Sequence, residues 1–199
     1  MKKILQIFSL ISAFTIFASF ANAQNLQAGY DYYLEGDYQA ALKEFLPLAE
    51  QGNAGAQFNL GAMYDRGEGV IKDPFQALGW YQLAAEQGIS SAQFNLGVTY
   101  YRGEIVTKDM TEAARWFRLA AEQGNAGAQT ALAAIYAIGQ GTLKDMVIAH
   151  MWYNIASANG NETAAVARDR LESRMTTQQI SEATQRARIC MSSNYSQCE

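Results

Sequence analysis

The chain has 199 residues, of which 49% are hydrophobic, and this length is enough for one folded domain. Its 15 basic and 19 acidic residues give a net charge of −4, which argues against nucleic acid and anionic lipid as partners, because both attract basic surfaces. One histidine and two cysteines provide neither a metal cluster nor a Ser/His/Asp or Cys/His catalytic arrangement.

The N-terminus is predicted to be a secretory signal peptide over residues 1–23. Lys2 and Lys3 form a positive region, Ile4 to Phe20 is uncharged and mostly apolar, and Ala21-Asn22-Ala23 is an A-x-A cleavage site. The alternative is an uncleaved anchor, but the stretch is at the short edge of the roughly 17–25 residues that a bilayer needs, and it ends in a small-residue cleavage site. We therefore expect a periplasmic or secreted protein with no membrane insertion after cleavage. Loss of two lysines leaves 13 basic and 19 acidic residues, a net charge of −6.

The ends of the folded region are predicted to differ from its middle. Residues 24–52 read as a shortened helix pair that Gly36-Asp37 interrupts, and residues 161–190 read as capping helices with a polar outer face. Residues 191–199 form a tail. Cys190 and Cys198 lie eight residues apart, and in the oxidising environment after export we expect them to form a disulfide that pins this tail. Free thiols and links between chains are the alternatives.

A period of 36 residues organises the middle of the chain. The segment GWYQLAAEQG, which ends at Gly88, recurs as RWFRLAAEQG at Gly124 and as MWYNIASANG at Gly160. Such a period is typical of arrays of two-helix repeats, in which each repeat buries its apolar face against the next. Three repeats are predicted over residues 53–160, at 53–88, 89–124 and 125–160.

Each repeat is predicted to contain two α-helices. The first carries A-Q-x-x-L-G/A-x-x-Y, whose apolar residues fall on one helix face, and the small residue after leucine lets the two helices approach closely. An aspartate caps the second helix, whose tryptophan belongs to the core. The recurring glutamine lies on the buried face, so we expect its amide to satisfy loop or helix-end backbone groups. The glutamines are Gln57, Gln93 and Gln129, and the tryptophans are Trp80, Trp116 and Trp152.

The first repeat resembles Sel1-like repeats, a subfamily of tetratricopeptide-like arrays. It fills every place of A-x-x-x-L-G-x-x-Y-x-x-G-x-G-V-x-x-D-x-x-x-A-x-x-W-Y-x-x-A-A-x-x-G, from Ala56 to Gly88. The other repeats depart from the pattern at Ile105, Phe117, Ala133, Thr142 and Ser157. The resemblance implies an all-α fold, a right-handed α-solenoid of antiparallel helix pairs, in an exported bacterial protein that acts as an adaptor or binding surface.

The candidate binding residues lie on the first helices, opposite the core, because this face lines the concave groove of such arrays. They are Phe58, Asn59, Asp65, Arg66, Phe94, Asn95, Tyr101 and Arg102. The expected ligand is a protein or an extended peptide. Asparagine amides would bond its backbone, phenylalanines would take apolar side chains and arginines would hold carboxylates. The alternative is that the phenylalanines pack against the neighbouring repeat.

The sequence therefore favours a non-enzymatic protein- or peptide-binding adaptor or scaffold, with no cofactor and no metal. The alternatives are a cell-envelope enzyme or β-lactam-interacting protein, and a purely structural component of an envelope complex. An enzyme would need a nucleophile–base pair or a metal set. His150, the only histidine, is expected to be a surface or partly packed side chain. The oligomeric state is left open.

Overall fold

The computed structural model describes residues 25–198. The predicted signal peptide lies outside the described residues. Every regular element within residues 25–198 is an α-helix, and many of these helices pack against the next helix along the chain, which confirms the predicted all-α class. Among these helices, none combines the length and the apolar character that crossing a bilayer requires.

Short connections join the helices, and the chain divides into an N-terminal unit, residues 1–83, and a C-terminal unit, residues 84–199. The helices are α1 (residues 25–35), α2 (Tyr38–Glu50), α3 (Ala54–Arg66), α4 (Pro74–Glu86), α5 (Ser90–Arg102), α6 (Met110–Ala121), α7 (Ala126–Ile138), α8 (Met146–Ala158), α9 (Glu162–Glu172) and α10 (Thr177–Ser192).

Side-chain caps fix where many of these helices begin. Asn53 accepts a hydrogen bond from the amide of Ala56 at 3.0 Å, and Asp73 accepts from Phe75 and Gln76 at 2.9 and 3.1 Å. These bonds satisfy amide groups that the first helical turn leaves without an acceptor. Asp109, Asp145, Asn125 and Asn161 cap later helices in the same way.

In the N-terminal unit, helices approach closely where a glycine faces an aromatic ring. A Cβ atom added to Gly61 on α3 would lie 2.6 Å from the ring of Tyr81 on α4. The small residue after leucine is therefore required for this contact, as predicted. Phe45 on α2 is fully buried, with Tyr30 of α1 packed edge-on against it at a centroid distance of 5.5 Å.

In the C-terminal unit, α5 to α9 pack one after another along the chain. Gly97 repeats the close approach, since a Cβ atom there would lie 2.5 Å from the ring of Phe117. Trp116 and Trp152 are 7% and 2% exposed, so these two tryptophans belong to the core as predicted. Trp80 is only partly buried, and it packs against the core of the N-terminal unit.

The recurring glutamines bond the end of the preceding second helix. Their Nε2 atoms donate to the carbonyls of Ala49, Ala85 and Ala121, each at 3.1 Å. This confirms the predicted structural role. The side-chain oxygens of Gln93 and Gln129 also accept hydrogen bonds, from Gln123 at 2.8 Å and Asn159 at 2.9 Å. Both ends of these buried amides are thus satisfied.

The last helix departs from the repeat arrangement. α10 packs against α8 instead of pairing with α9, and it buries Ala183, Ala187 and Cys190. Cys190 and Cys198 are joined by a disulfide. The tail between them reaches Asn159 at the end of α8, whose amide donates to the hydroxyl of Tyr195 at 2.9 Å. The disulfide and this hydrogen bond hold the tail in place.

His150 is buried, contrary to the prediction of a surface or partly packed side chain. It is 1% exposed, and its Nε2 lies 2.8 Å from Oε1 of Glu172 on α9. The prediction was wrong because His150 faces α9, the next helix along the chain. The other repeats have Leu78 and Ala114 at the position of His150. Nδ1 of His150 has no hydrogen-bond partner among the described residues.

Candidate protein-binding face

In the N-terminal unit, two residues that were predicted to contact a ligand make contacts within the protein instead. Phe58 packs on Tyr81, with ring centroids 5.8 Å apart. Asn59 is 7% exposed, and its amide donates to the carbonyl of Gly55 at 2.7 Å. This corrects the expectation that Asn59 offers its amide to a ligand: the side chain folds back on its own helix. Ala62, one turn further along α3, is buried as well.

Arg66 is exposed, but a network with an acidic residue neutralises it. Its guanidinium donates to the hydroxyl of Tyr33 at 2.7 Å and lies 3.7 Å from Glu68. The Tyr33 hydroxyl donates to Glu68 at 2.5 Å. Burial, together with this hydrogen bond, raises the pKa of Tyr33. A ligand carboxylate at Arg66 would have to compete with Glu68. Asp65, beside Arg66, is exposed and acidic.

In the C-terminal unit, Phe94 is a packing residue. Its ring centroid lies 5.8 Å from that of Phe117, and its ring edge comes within 3.2 Å of where a Cβ of Gly127 on α7 would be. Phe94 therefore fills the junction of α5, α6 and α7. Phe58 and Phe94 therefore fit the alternative prediction, in which the phenylalanines pack within the array, better than the prediction that they contact a ligand.

Other predicted residues of α5 do face solvent. Tyr101 is 47% exposed, and Nζ of Lys108 lies 5.5 Å from its ring centroid. Arg102 is exposed and, among residues 25–198, makes no ion pair. Asn95, two turns earlier, is partly buried. On α7, which contacts α5, Ile138 takes the position of Arg102 and is 61% exposed.

We call this surface the α5–α7 face and define it by Asn95, Tyr101, Arg102, Lys108 and Ile138. It combines an aromatic ring, two cations and an exposed aliphatic side chain. Tyrosine and arginine are among the residue types that contribute most to protein–protein binding, because they bring large contact areas and directed hydrogen bonds. An unpaired guanidinium can also bind a carboxylate through two parallel hydrogen bonds.

The sequence did not point to Lys108 or to the Tyr33–Glu68 pair. Lys108 lies in a loop with a lysine in every repeat, so only the structure shows that it approaches an aromatic ring. Within residues 25–198, no group of three or more His, Cys, Asp and Glu side chains is placed to hold a metal ion.

A model of the Sel1 repeat matches the chain at residues 54–89, 90–125 and 126–161, more than half of its length. The chain belongs to the Sel1 repeat family. These bounds begin one residue after those of the predicted repeats. Sel1 repeat proteins typically mediate protein–protein interactions, and no enzymatic family is indicated.

Two solved Sel1 structures are similar to this chain. One is a Sel1 repeat protein from Oxalobacter formigenes, with 37% identity and a TM-score of 0.68 over 72% of this chain. The other is a protective antigen present in uropathogenic Escherichia coli strains, which displays an SLR fold, with 40% identity and a TM-score of 0.68 over 72% of this chain. The match spans 59% and 32% of those two proteins. No curated protein matches significantly.

Proposed function

We propose that this Sel1 repeat protein is an exported, non-enzymatic adaptor that binds a protein or an extended peptide on the α5–α7 face. The observation that carries the proposal is the exposed pair Tyr101 and Arg102. Arg102 has no ion-pair partner among the described residues, whereas Arg66 at the same position of the first repeat is held by Tyr33 and Glu68.

The proposed mechanism is surface complementarity without chemistry. The Tyr101 ring would take an apolar side chain of the ligand, and Arg102 and Lys108 would attract a carboxylate next to it. Ile138 extends the apolar part of the surface onto α7. A ligand segment that combines an acidic and an apolar residue suits this face best, because the protein's own acidic residues do not neutralise Arg102.

Export is part of the proposal and rests on the N-terminal sequence pattern. The disulfide between Cys190 and Cys198 supports it, because disulfides persist in oxidising compartments and are rare in the cytosol. Fractionation of producing cells, followed by N-terminal sequencing, tests this part. We expect a periplasmic or extracellular protein that begins near Gln24. A protein that stays in the cytosol with an intact N-terminus would contradict export.

Site-specific photo-cross-linking tests the binding face. A photoreactive residue at Tyr101 should form a defined adduct with a partner protein in producing cells, and Arg102→Ala in the same chain should reduce its yield. The matched control is a photoreactive residue at Gln185, which is exposed on α10, a helix that packs against α8. Absence of an adduct at Tyr101, or the same adduct at both positions, would contradict the assignment.

A further inference from the structure

The outer face of α4 carries an apolar stripe that the proposed binding face does not use. Phe75 is 70% exposed and Leu83 is 45% exposed, and exposed Gly79 lies midway between them. Residues four apart lie on the same side of a helix, so these three form one line. No heavy atom comes within 4 Å of where a Cβ of Gly79 would be. We call Phe75, Gly79 and Leu83 the α4 stripe.

The second repeat has two polar residues and one leucine at the same positions. Thr111, Arg115 and Leu119 follow the α4 stripe by one period. Arg115 makes an ion pair with Glu112 at 2.9 Å, and its guanidinium lies 4.1 Å above the ring of Trp116. This helix face is therefore suited to water.

The third repeat has an apolar stripe, and there another helix covers it. Val147, Met151 and Ile155 occupy the equivalent positions of α8, and the last two are fully buried. α8 differs from α6 in its contact with α10, which contributes the small buried residues Ala183 and Ala187. The apolar stripe of α8 therefore lies on a helix that packs against α10, whereas the stripe of α6 faces solvent.

We propose that the α4 stripe is a homodimer interface and that α4 of a second copy is the helix that covers it. The stripe is symmetric about Gly79, with an apolar residue four positions before and four positions after it. A twofold axis at Gly79 therefore places Phe75 of each copy against Leu83 of the other, as an isologous interface requires.

Two further features favour a second copy. The paired glycines carry no side chains, so the two helices can approach closely at the crossing point. The same axis brings Gln76 of one copy to Gln82 of the other, and both are neutral. No like charges meet at the centre of the interface.

Sedimentation equilibrium of the purified protein tests the proposal, using variants taken from the second repeat. Phe75→Thr and Gly79→Arg introduce the residues that stand at the same positions of α6, where the fold accepts them. We expect a dimer for the wild type, and a dissociation constant raised about tenfold or more in each variant. Thr111→Ala is the matched control on the second repeat and should leave the dimer unchanged.

A cysteine cross-link provides a second readout. Gly79→Cys lies on the proposed axis, so it should form a disulfide between two copies under oxidising conditions, whereas Arg115→Cys should not. The described cysteines are already paired with each other and do not interfere. A wild type that stays monomeric at every concentration would overturn the proposal. This outcome would overturn it even if a different protein covers the stripe. A dimer that persists in both repeat-derived variants would overturn it too.

Discussion

Gln129 offers a test of how neighbouring helix pairs are held together. It is fully buried, and its amide donates to the carbonyl of Ala121 at 3.1 Å while its oxygen accepts from Asn159 at 2.9 Å. Gln129→Leu removes both hydrogen bonds and keeps a side chain of similar volume. The substitution therefore separates hydrogen bonding from packing.

The expected cost follows from which groups lose a partner. Asn159 keeps its hydrogen bond to the hydroxyl of Tyr195 and is exposed to water, so it loses little. The carbonyl of Ala121 loses the hydrogen bond from Gln129 but keeps the one from the amide of Gly124 at 2.9 Å, so the cost is that of one buried hydrogen bond, about 0.5–1.5 kcal/mol. For a chain of this size, that corresponds to a melting temperature lower by roughly 1–6 °C.

Thermal unfolding followed by far-ultraviolet circular dichroism measures the difference. The matched control is Gln185→Leu, the same chemical change at an exposed position of α10. The control should change the free energy of unfolding by less than about 0.5 kcal/mol. Equal shifts for the two variants would refute the reasoning, since they would show that the buried hydrogen bonds contribute nothing measurable.

Three further predictions concern the core, the tail and the tyrosines. Trp116→Ala should lower the free energy of unfolding by about 3–5 kcal/mol, because it truncates a buried aromatic residue; an unchanged melt would contradict its place in the core. Replacing Cys190 and Cys198 together by serine should cost about 2–3 kcal/mol in loop entropy and speed proteolysis of the tail, whereas a tail equally resistant to protease would contradict pinning by the disulfide. Burial raises the pKa of Tyr33 and Tyr153, so both should keep their protons above pH about 10. Since the folded state then binds these protons more tightly than the unfolded state, their stabilising contribution should be lost as the pH rises through the raised pKa values. Ultraviolet titration of the wild type and of Tyr33→Phe checks this. If the ionisation step that disappears in the variant lies near the ordinary tyrosine pKa of about 10, the prediction is contradicted.

Much of the fold follows from the repeated pattern, because each recurring residue has a local role. The aspartates cap helices, the glutamines bond helix ends, and Gly61 and Gly97 admit aromatic rings. All of these roles depend on spacing along the chain. They are therefore visible without coordinates.

The features that the sequence did not predict depend on contacts between distant segments. The hydroxyl of Tyr33 joins Arg66 to Glu68, and no local pattern links Tyr33 to Arg66, which lies 33 residues later in the chain. His150 is buried against α9, and α10 lies on α8 instead of pairing with α9, because the repeat pattern no longer guides the chain beyond residue 160.

The α4 stripe could have been found by comparing the repeats position by position. Gly79, Arg115 and Met151 occupy one column of the pattern and differ in size, charge and polarity. Such variation at a fixed position shows where each repeat meets a different environment. The residues that the repeats share reveal the fold but do not reveal these differences.

The binding role of the α5–α7 face is tested most directly by calorimetric titration of the partner that cross-links at Tyr101. The partner is titrated into the wild type, into the double variant Tyr101→Ala with Arg102→Ala, and into the control Gln185→Ala. We expect the double variant to bind about a hundredfold more weakly, as for the loss of two residues that each contribute more than 1 kcal/mol, and the control to match the wild type. Equal affinity in all three proteins would contradict recognition by this face.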